Sequence, residues 1–133
     1  MLESNVIQMK GFKNTVQDGR ITGFQVRARC PYYRGIWASL IERVEVAVDG
    51  ETFPAESTRL ELGGRRFRPG EPADEQELRW AFEEPAVLAV DKPGGLEPGL
   101  HDVQVSVTWR WSYVPVEMQP TTNISERKLV LVR

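Results

Sequence analysis

Residues 100–111 read Leu-His-Asp-Val-Gln-Val-Ser-Val-Thr-Trp-Arg-Trp, and this stretch decides the fold class. Its large apolar residues recur at every second position: Val103, Val105, Val107, Trp109 and Trp111. That period places all five on one face of an extended strand, whereas a helix would scatter them around its axis. Pro98-Gly99 and Pro115 bound the stretch with turn chemistry. Because one apolar face needs a second apolar layer, the pattern predicts a β-sandwich.

Turn signals divide the rest of the chain at short intervals. Asp18-Gly19 follows one short extended segment, and Asp49-Gly50 follows the Val-rich run 41–48. The second pair is a strong hairpin signal, because such a tight turn needs positive φ. Further extended segments are predicted at 12–16, 21–30, 59–62, 65–68, 78–82, 87–90 and 128–132. We therefore predict an all-β fold, a single antiparallel β-sandwich domain over residues 1–133 with about eight or nine strands.

Two segments are predicted to be irregular, and one short stretch is ambiguous. Residues 31–39 join two strands, and residues 113–127 form a longer connection whose length is typical of functional or disordered loops. Its apolar residues argue against simple disorder. Residues 74–79 fit either one helical turn or, as we favour, the approach to a strand at Trp80.

Composition restricts the possible partners and the compartment. The net charge of −2 comes from 17 basic and 19 acidic residues that are mixed along the chain, so no basic stripe predicts nucleic-acid binding. No apolar run approaches the roughly 20 residues that span a bilayer, and the N-terminus lacks the features of a signal peptide. With Cys30 as the only cysteine, an intrachain disulfide cannot form. We expect a cytoplasmic protein without a membrane or nucleic-acid partner.

The chain has few residues suited to catalysis. Zinc sites and nucleophile–base pairs usually draw on several His and Cys residues, and this chain offers only His101 and Cys30. We therefore assign no catalytic and no metal-binding residue to it, and we leave the substrate-binding residues open. His101 fits either a lone acid or base or, as we favour, a structural tie between a strand start and a neighbouring loop.

Two segments are candidates for contact with a partner. Residues 30–37, Cys-Pro-Tyr-Tyr-Arg-Gly-Ile-Trp, are unusually aromatic for a connection, which is typical of interfaces and of sugar-binding faces. An equally good reading is a loop that buries its own rings over the end of the sandwich. Residues 113–120 carry a carboxylate and an adaptable Met side chain. The predicted partner interface consists of Tyr32, Tyr33, Arg34, Trp37, Tyr113, Glu117 and Met118.

Several segments together resemble a known family. They are residues 1–8 (Met-Leu-Glu-Ser-Asn-Val-Ile-Gln), 26–35 (Val-Arg-Ala-Arg-Cys-Pro-Tyr-Tyr-Arg-Gly), 41–50 (Ile-Glu-Arg-Val-Glu-Val-Ala-Val-Asp-Gly) and 111–115 (Trp-Ser-Tyr-Val-Pro). In these segments the chain resembles the small (β) subunit of bacterial C-glycoside deglycosidases. The resemblance runs over essentially the whole sequence, and its most specific part is Pro-Tyr-Tyr-Arg-Gly followed by the Val-rich strand and Asp-Gly.

The resemblance implies a two-subunit enzyme, a carbon–carbon lyase. The large (α) subunit is expected to be a TIM barrel that holds a divalent metal, commonly manganese. It would cleave the bond between a sugar, already oxidised at C3, and an aromatic aglycone such as a flavonoid. The 3-keto group acidifies the hydrogen on C2, a base removes it, and the metal stabilises the enolate. Elimination then expels the aglycone from C1 as its carbon is protonated by an acid.

On this reading the present chain is an accessory subunit with no cofactor of its own, and the 3-oxo-C-glycoside is bound mainly by the partner. Two alternatives stay open. A free-standing carbohydrate-binding module would use Tyr32, Tyr33 and Trp37 as a stacking platform. A structural homo-oligomer would close its own sheet edges.

Overall fold

The computed structural model describes residues 6–32, 35–69, 79–81, 84–110 and 121–132. Over these residues the chain forms antiparallel strands and two short 3₁₀ turns, Ala38–Leu40 and Ala55–Ser57. The strands, in chain order, are β1 (Lys13–Gln17), β2 (Arg20–Arg29), β3 (Ile36–Trp37), β4 (Ile41–Val48), β5 (Glu51–Phe53), β6 (Thr58–Leu62), β7 (Arg65–Phe67), β8 (Arg79–Trp80), β9 (Pro85–Asp91), β10 (Gly99–Trp109) and β11 (Thr121–Leu131). No helix in the described part of the chain is long and apolar enough for a membrane crossing.

Two sheets form the layers of a sandwich. One has the order β1-β2-β9-β6-β7 and the other the order β11-β10-β4-β5, while β3 and β8 form a separate two-stranded ribbon. The Phe24 ring of the first sheet meets the Phe53 ring of the second edge to face, with centroids 5.2 Å apart. The prediction of an all-β antiparallel sandwich is therefore confirmed.

The stretch that predicted the fold forms the long strand β10 in the middle of its sheet. Val103, Val105, Val107 and Trp109 are all buried, as their alternation predicts. Trp111 lies outside the described residues. Burial of apolar side chains from both sheets in one contiguous core supplies the main driving force for folding.

The hairpin predicted at Asp49-Gly50 is present, and the turn signal at Asp18-Gly19 also forms a hairpin. Asp18 and Gly19 turn between β1 and β2, and Asp49 and Gly50 turn between β4 and β5. All four residues have positive φ, between 51° and 87°. This is the backbone conformation that two-residue hairpin turns require, and Asp and Gly tolerate it better than most residues.

The predicted number of strands was too low. The described residues contain eleven strands, and the extra ones include the two-residue strands β3 and β8, which are too short to show an alternating pattern. The segment 113–127 was also wrongly predicted to be irregular throughout, because β11 begins at Thr121. Polar Asn123 and Ser125 occupy its inward positions and hide the alternation. Residues 74–78 lie outside the described residues.

Candidate functional site

His101 is held between two acceptors near the start of β10. Its Nδ1 lies 2.6 Å from Oδ2 of Asp49, and its Nε2 lies 2.6 Å from the carbonyl oxygen of Glu97. The other carboxylate oxygen of Asp49 accepts a hydrogen bond of 2.8 Å from the backbone N–H of Asp102. His101 thus joins three segments, the 49–50 turn, the loop before β10 and β10 itself. This is the structural tie that the sequence favoured over a lone acid or base.

The contacts of His101 shift two pKa values in opposite directions. Partial burial opposes the imidazolium, but the hydrogen bonds to the Glu97 carbonyl and to Asp49 outweigh it and raise the pKa of His101. The hydrogen bond from His101, followed by that from the backbone of Asp102, lowers the pKa of Asp49. Both ring nitrogens face acceptors, and only the protonated ring donates to both. The pair is therefore arranged as an ion pair.

Cys30 is buried and chemically protected. Its side chain is 0% exposed, and its Sγ donates to the carbonyl oxygen of Tyr32 at 3.5 Å. Burial raises the pKa of the Cys30 thiol to about 11. Because the thiolate is the nucleophilic form, this environment suits a core side chain rather than a reactive one.

The residues of the predicted partner interface differ in their exposure. Trp37 on β3 is 41% exposed, and the guanidinium of Arg79 on β8 lies 5.6 Å from the centre of its ring. Tyr32 is only 7% exposed, and its ring lies 6.4 Å from that of Trp109. Tyr32 thus fits the alternative reading, a loop that buries its own rings. Its burial also removes one of the three rings of the suggested sugar-stacking platform.

Five of the seven predicted interface residues lie outside the described residues: Tyr33, Arg34, Tyr113, Glu117 and Met118. Their attachment points are nevertheless close together. The backbone N–H of Arg110, which precedes the segment 111–120, donates to the carbonyl oxygen of Leu40 at 2.9 Å, and Trp109 packs near Tyr32. Both predicted interface segments therefore start from the same end of the sandwich.

One charged feature was missed by the sequence analysis. Lys10, Arg27, Arg29 and Arg127, which we call the basic cluster, line a cleft of about 280 Å³ at one edge of the sandwich, together with Ile7, Gln8 and Met9. The members are separated by up to 117 positions in the sequence, so no local charge run reveals them. Only the outward alternation of Arg27 and Arg29 along β2 was visible in the sequence.

The described residues bring no three His, Cys, Asp or Glu side chains together in an arrangement that could hold a metal ion. The manganese expected from the family resemblance was assigned to the partner subunit, and these residues do not provide a site for it.

Comparisons with known proteins connect this chain to a family. A family model described as C-glycoside deglycosidase beta subunit matches residues 2–113. A protein of this name from Eubacterium cellulosolvens is 34% identical over 130 residues, which cover 97% of this chain and 88% of the relative. Another from Microbacterium trichothecenolyticum is 32% identical over 102 residues, or 77% of each chain. A 3'-dehydrocarminate deglycosidase beta subunit from a Microbacterium species is 30% identical over 109 residues, or 79% of this chain and 81% of the relative.

Proposed function

Because the chain belongs to the C-glycoside deglycosidase beta-subunit family, we propose that it is the accessory subunit of a heteromeric enzyme that cleaves the carbon–carbon bond of 3-oxo-C-glycosides. The family membership confirms the resemblance noted in the sequence. A beta subunit implies an alpha partner. In our proposal that partner is a metal-dependent TIM barrel, which carries the catalytic groups and most of the substrate contacts.

The observation that carries this proposal is the engagement of the only histidine and the only cysteine in structural roles. Both ring nitrogens of His101 lie 2.6 Å from acceptors of the same chain. Cys30 is buried with a raised thiol pKa. Proton abstraction from C2 of a keto sugar needs an accessible base whose pKa lies near the working pH. A supporting role beside a catalytic partner agrees with these two environments.

We further propose that the end of the sandwich around Trp37 contacts the alpha subunit. Trp and Arg are enriched among the residues that dominate binding energy at interfaces, and Trp37 and Arg79 form such a pair on the ribbon of β3 and β8. Burial of the exposed part of the Trp37 ring would stabilise the complex. The same proposal places the complex in the bacterial cytoplasm, where a lone thiol such as Cys30 stays reduced.

Co-expression with a candidate alpha subunit, a sugar-isomerase-like barrel from the same organism, tests the proposal. We expect the two chains to co-purify, and we expect only the mixture to release the aglycone from a 3-oxo-C-glucoside, followed by chromatography. A metal chelator should abolish that release without dissociating this chain from its partner. Turnover by the purified 133-residue chain alone at an enzymatic rate would overturn the proposal.

A further inference from the structure

The basic cluster gathers four cations from separate parts of the chain. Residues 6–8 pair with the end of β2, through hydrogen bonds from Gln8 N to Arg27 O at 2.9 Å and from Arg29 N to Val6 O at 2.8 Å. This pairing brings the turn that contains Lys10 next to the outward side chains of β2. Arg127 reaches the same cleft from β11, in the opposite sheet.

One guanidinium group is hydrogen-bonded before any ligand arrives, and a second packs beside a glycine. Arg127 donates from an Nη atom to the carbonyl oxygen of Ile7 at 2.8 Å, which restricts its position. A guanidinium group has five N–H donors, so others can still bind a ligand. The side chain of Arg27 lies across Gly11, where an added Cβ would come within 2.7 Å of the Arg27 Cδ and Nε atoms. Prior ordering of this kind lowers the entropy lost on binding.

The charges around the cleft are unbalanced. None of the described residues that line it is an Asp or Glu, although the chain as a whole has a net charge of −2. Elsewhere in the described structure arginines pair with carboxylates, as Arg59 does with Asp91 and Arg66 with Glu61. Like charges brought together repel one another, and a bound anion would relieve that repulsion.

We propose that the basic cluster is a binding site for an oxyanion, a carboxylate or a phosphate group. Guanidinium groups match the geometry of such groups with paired, charge-assisted hydrogen bonds. The cleft of about 280 Å³ has room for a small anion or for a carboxylate-bearing side chain. The oxyanion comes either from a dissolved compound or from an acidic side chain of the alpha subunit. The site is distinct from the Trp37 surface proposed above.

Titration of the full chain with inorganic phosphate tests the site, with amide chemical shifts from NMR as the readout and chloride keeping the ionic strength constant. We expect saturable shifts at residues 7–10, 27–29 and 127. Arg27→Gln combined with Arg29→Gln should weaken phosphate binding by about tenfold or more, because it removes charge-assisted hydrogen bonds on the solvent face of β2. Arg20→Gln removes an exposed charge from the same strand outside the cleft and should leave the affinity unchanged. Shifts that do not saturate, or equal affinities for both variants, would overturn the proposal.

The same titration in the presence of the alpha subunit distinguishes the two sources of the oxyanion. Phosphate binding that persists in the complex assigns the site to a dissolved anion. Binding that is lost in the complex, together with weaker association of the Arg27→Gln/Arg29→Gln variant, assigns it to a carboxylate of the partner. Because the first titration needs no alpha subunit, its failure would leave the proposed enzymatic function untouched.

Discussion

The Nδ1 atom of His101 lies 2.6 Å from the Oδ2 atom of Asp49, and this contact ties the start of β10 to the turn between β4 and β5. The two strands are neighbours in the same sheet, with Val48 opposite Val103. The backbone N–H of Asp49 also donates to the carbonyl oxygen of Asp102 at 2.8 Å. The contact therefore joins β10 to the turn after β4 at the end of the sheet opposite Trp109.

The His101–Asp49 pair predicts a pH dependence of stability. The raised pKa of His101 means that its contribution is complete below its ordinary value of 6.5 and is lost as the pH rises through its folded pKa. The lowered pKa of Asp49 means that its contribution is complete above 3.8 and is lost as the pH falls through its folded pKa. Both contributions are complete between these two values. Urea unfolding should show that His101→Gln costs more stability at pH 6 than at pH 9.

A matched variant separates the effect of the Asp49 charge from the effect of its turn conformation. Asp49→Asn keeps a residue that tolerates the positive φ of 51° and removes the carboxylate. Because the partial burial of His101 remains, we expect its pKa to fall in this variant, measured by NMR titration of the imidazole protons. An unchanged His101 pKa in Asp49→Asn would contradict the ion-pair description.

Gly23 is required by a close backbone approach between β2 and β9. A Cβ at this position would lie 2.0 Å from the carbonyl oxygen of Val90. Because a backbone atom cannot rotate away, Gly23→Ala should destabilise the fold by about 1–3 kcal/mol and weaken hydrogen-exchange protection along β9. Gly19→Ala is the control. A Cβ added at Gly19 would lie in open space. Because φ at this position is +77°, Gly19→Ala should still destabilise the fold by about 1–2 kcal/mol, but without loss of hydrogen-exchange protection in β9. Unchanged β9 protection in Gly23→Ala would refute the explanation.

Leu88 and Val130 provide a matched comparison of a core and a surface position. Leu88 is 0% exposed on β9 in the middle of its sheet, and Val130 on β11 is 59% exposed. Leu88→Ala should lower the free energy of unfolding by about 2–5 kcal/mol, because it removes buried methyl groups and leaves a cavity. Val130→Ala should change it by less than about 0.5 kcal/mol. Chemical denaturation measures both, and similar losses for the two variants would contradict the assigned core.

Cys30 should resist alkylation in the folded protein. With a thiol pKa of about 11, almost none of it is thiolate at pH 8, and the side chain is buried. Iodoacetamide should therefore modify the chain rapidly in urea and very slowly without it, as followed by mass spectrometry. Rapid modification under native conditions would show that the thiol is accessible.

Sequence patterns predicted a strand well where the inward face of that strand is apolar, and poorly where polar residues occupy the inward face. The alternation in β10 and the Asp-Gly turns, such as Asp49-Gly50, were visible as local signals. The start of β11 was missed because Ser125 faces inward and accepts a hydrogen bond from the backbone N–H of Val6, 119 positions away. The basic cluster was missed for the same reason, since only tertiary structure brings Arg127 to Arg27.

Trp37 should matter for association more than for folding. The residue is 41% exposed and the guanidinium of Arg79 lies over its ring, so Trp37→Ala removes contact area that a partner can cover. We expect binding to the alpha subunit to weaken by at least about 2 kcal/mol, or roughly 30-fold, as is typical of an anchoring aromatic residue. Leu100→Ala, at a 63% exposed position near the opposite end of the sandwich, should bind normally. Co-purification and calorimetric titration measure both variants. If Trp37→Ala kept the complex intact but abolished activity, the ring would contact substrate rather than the partner.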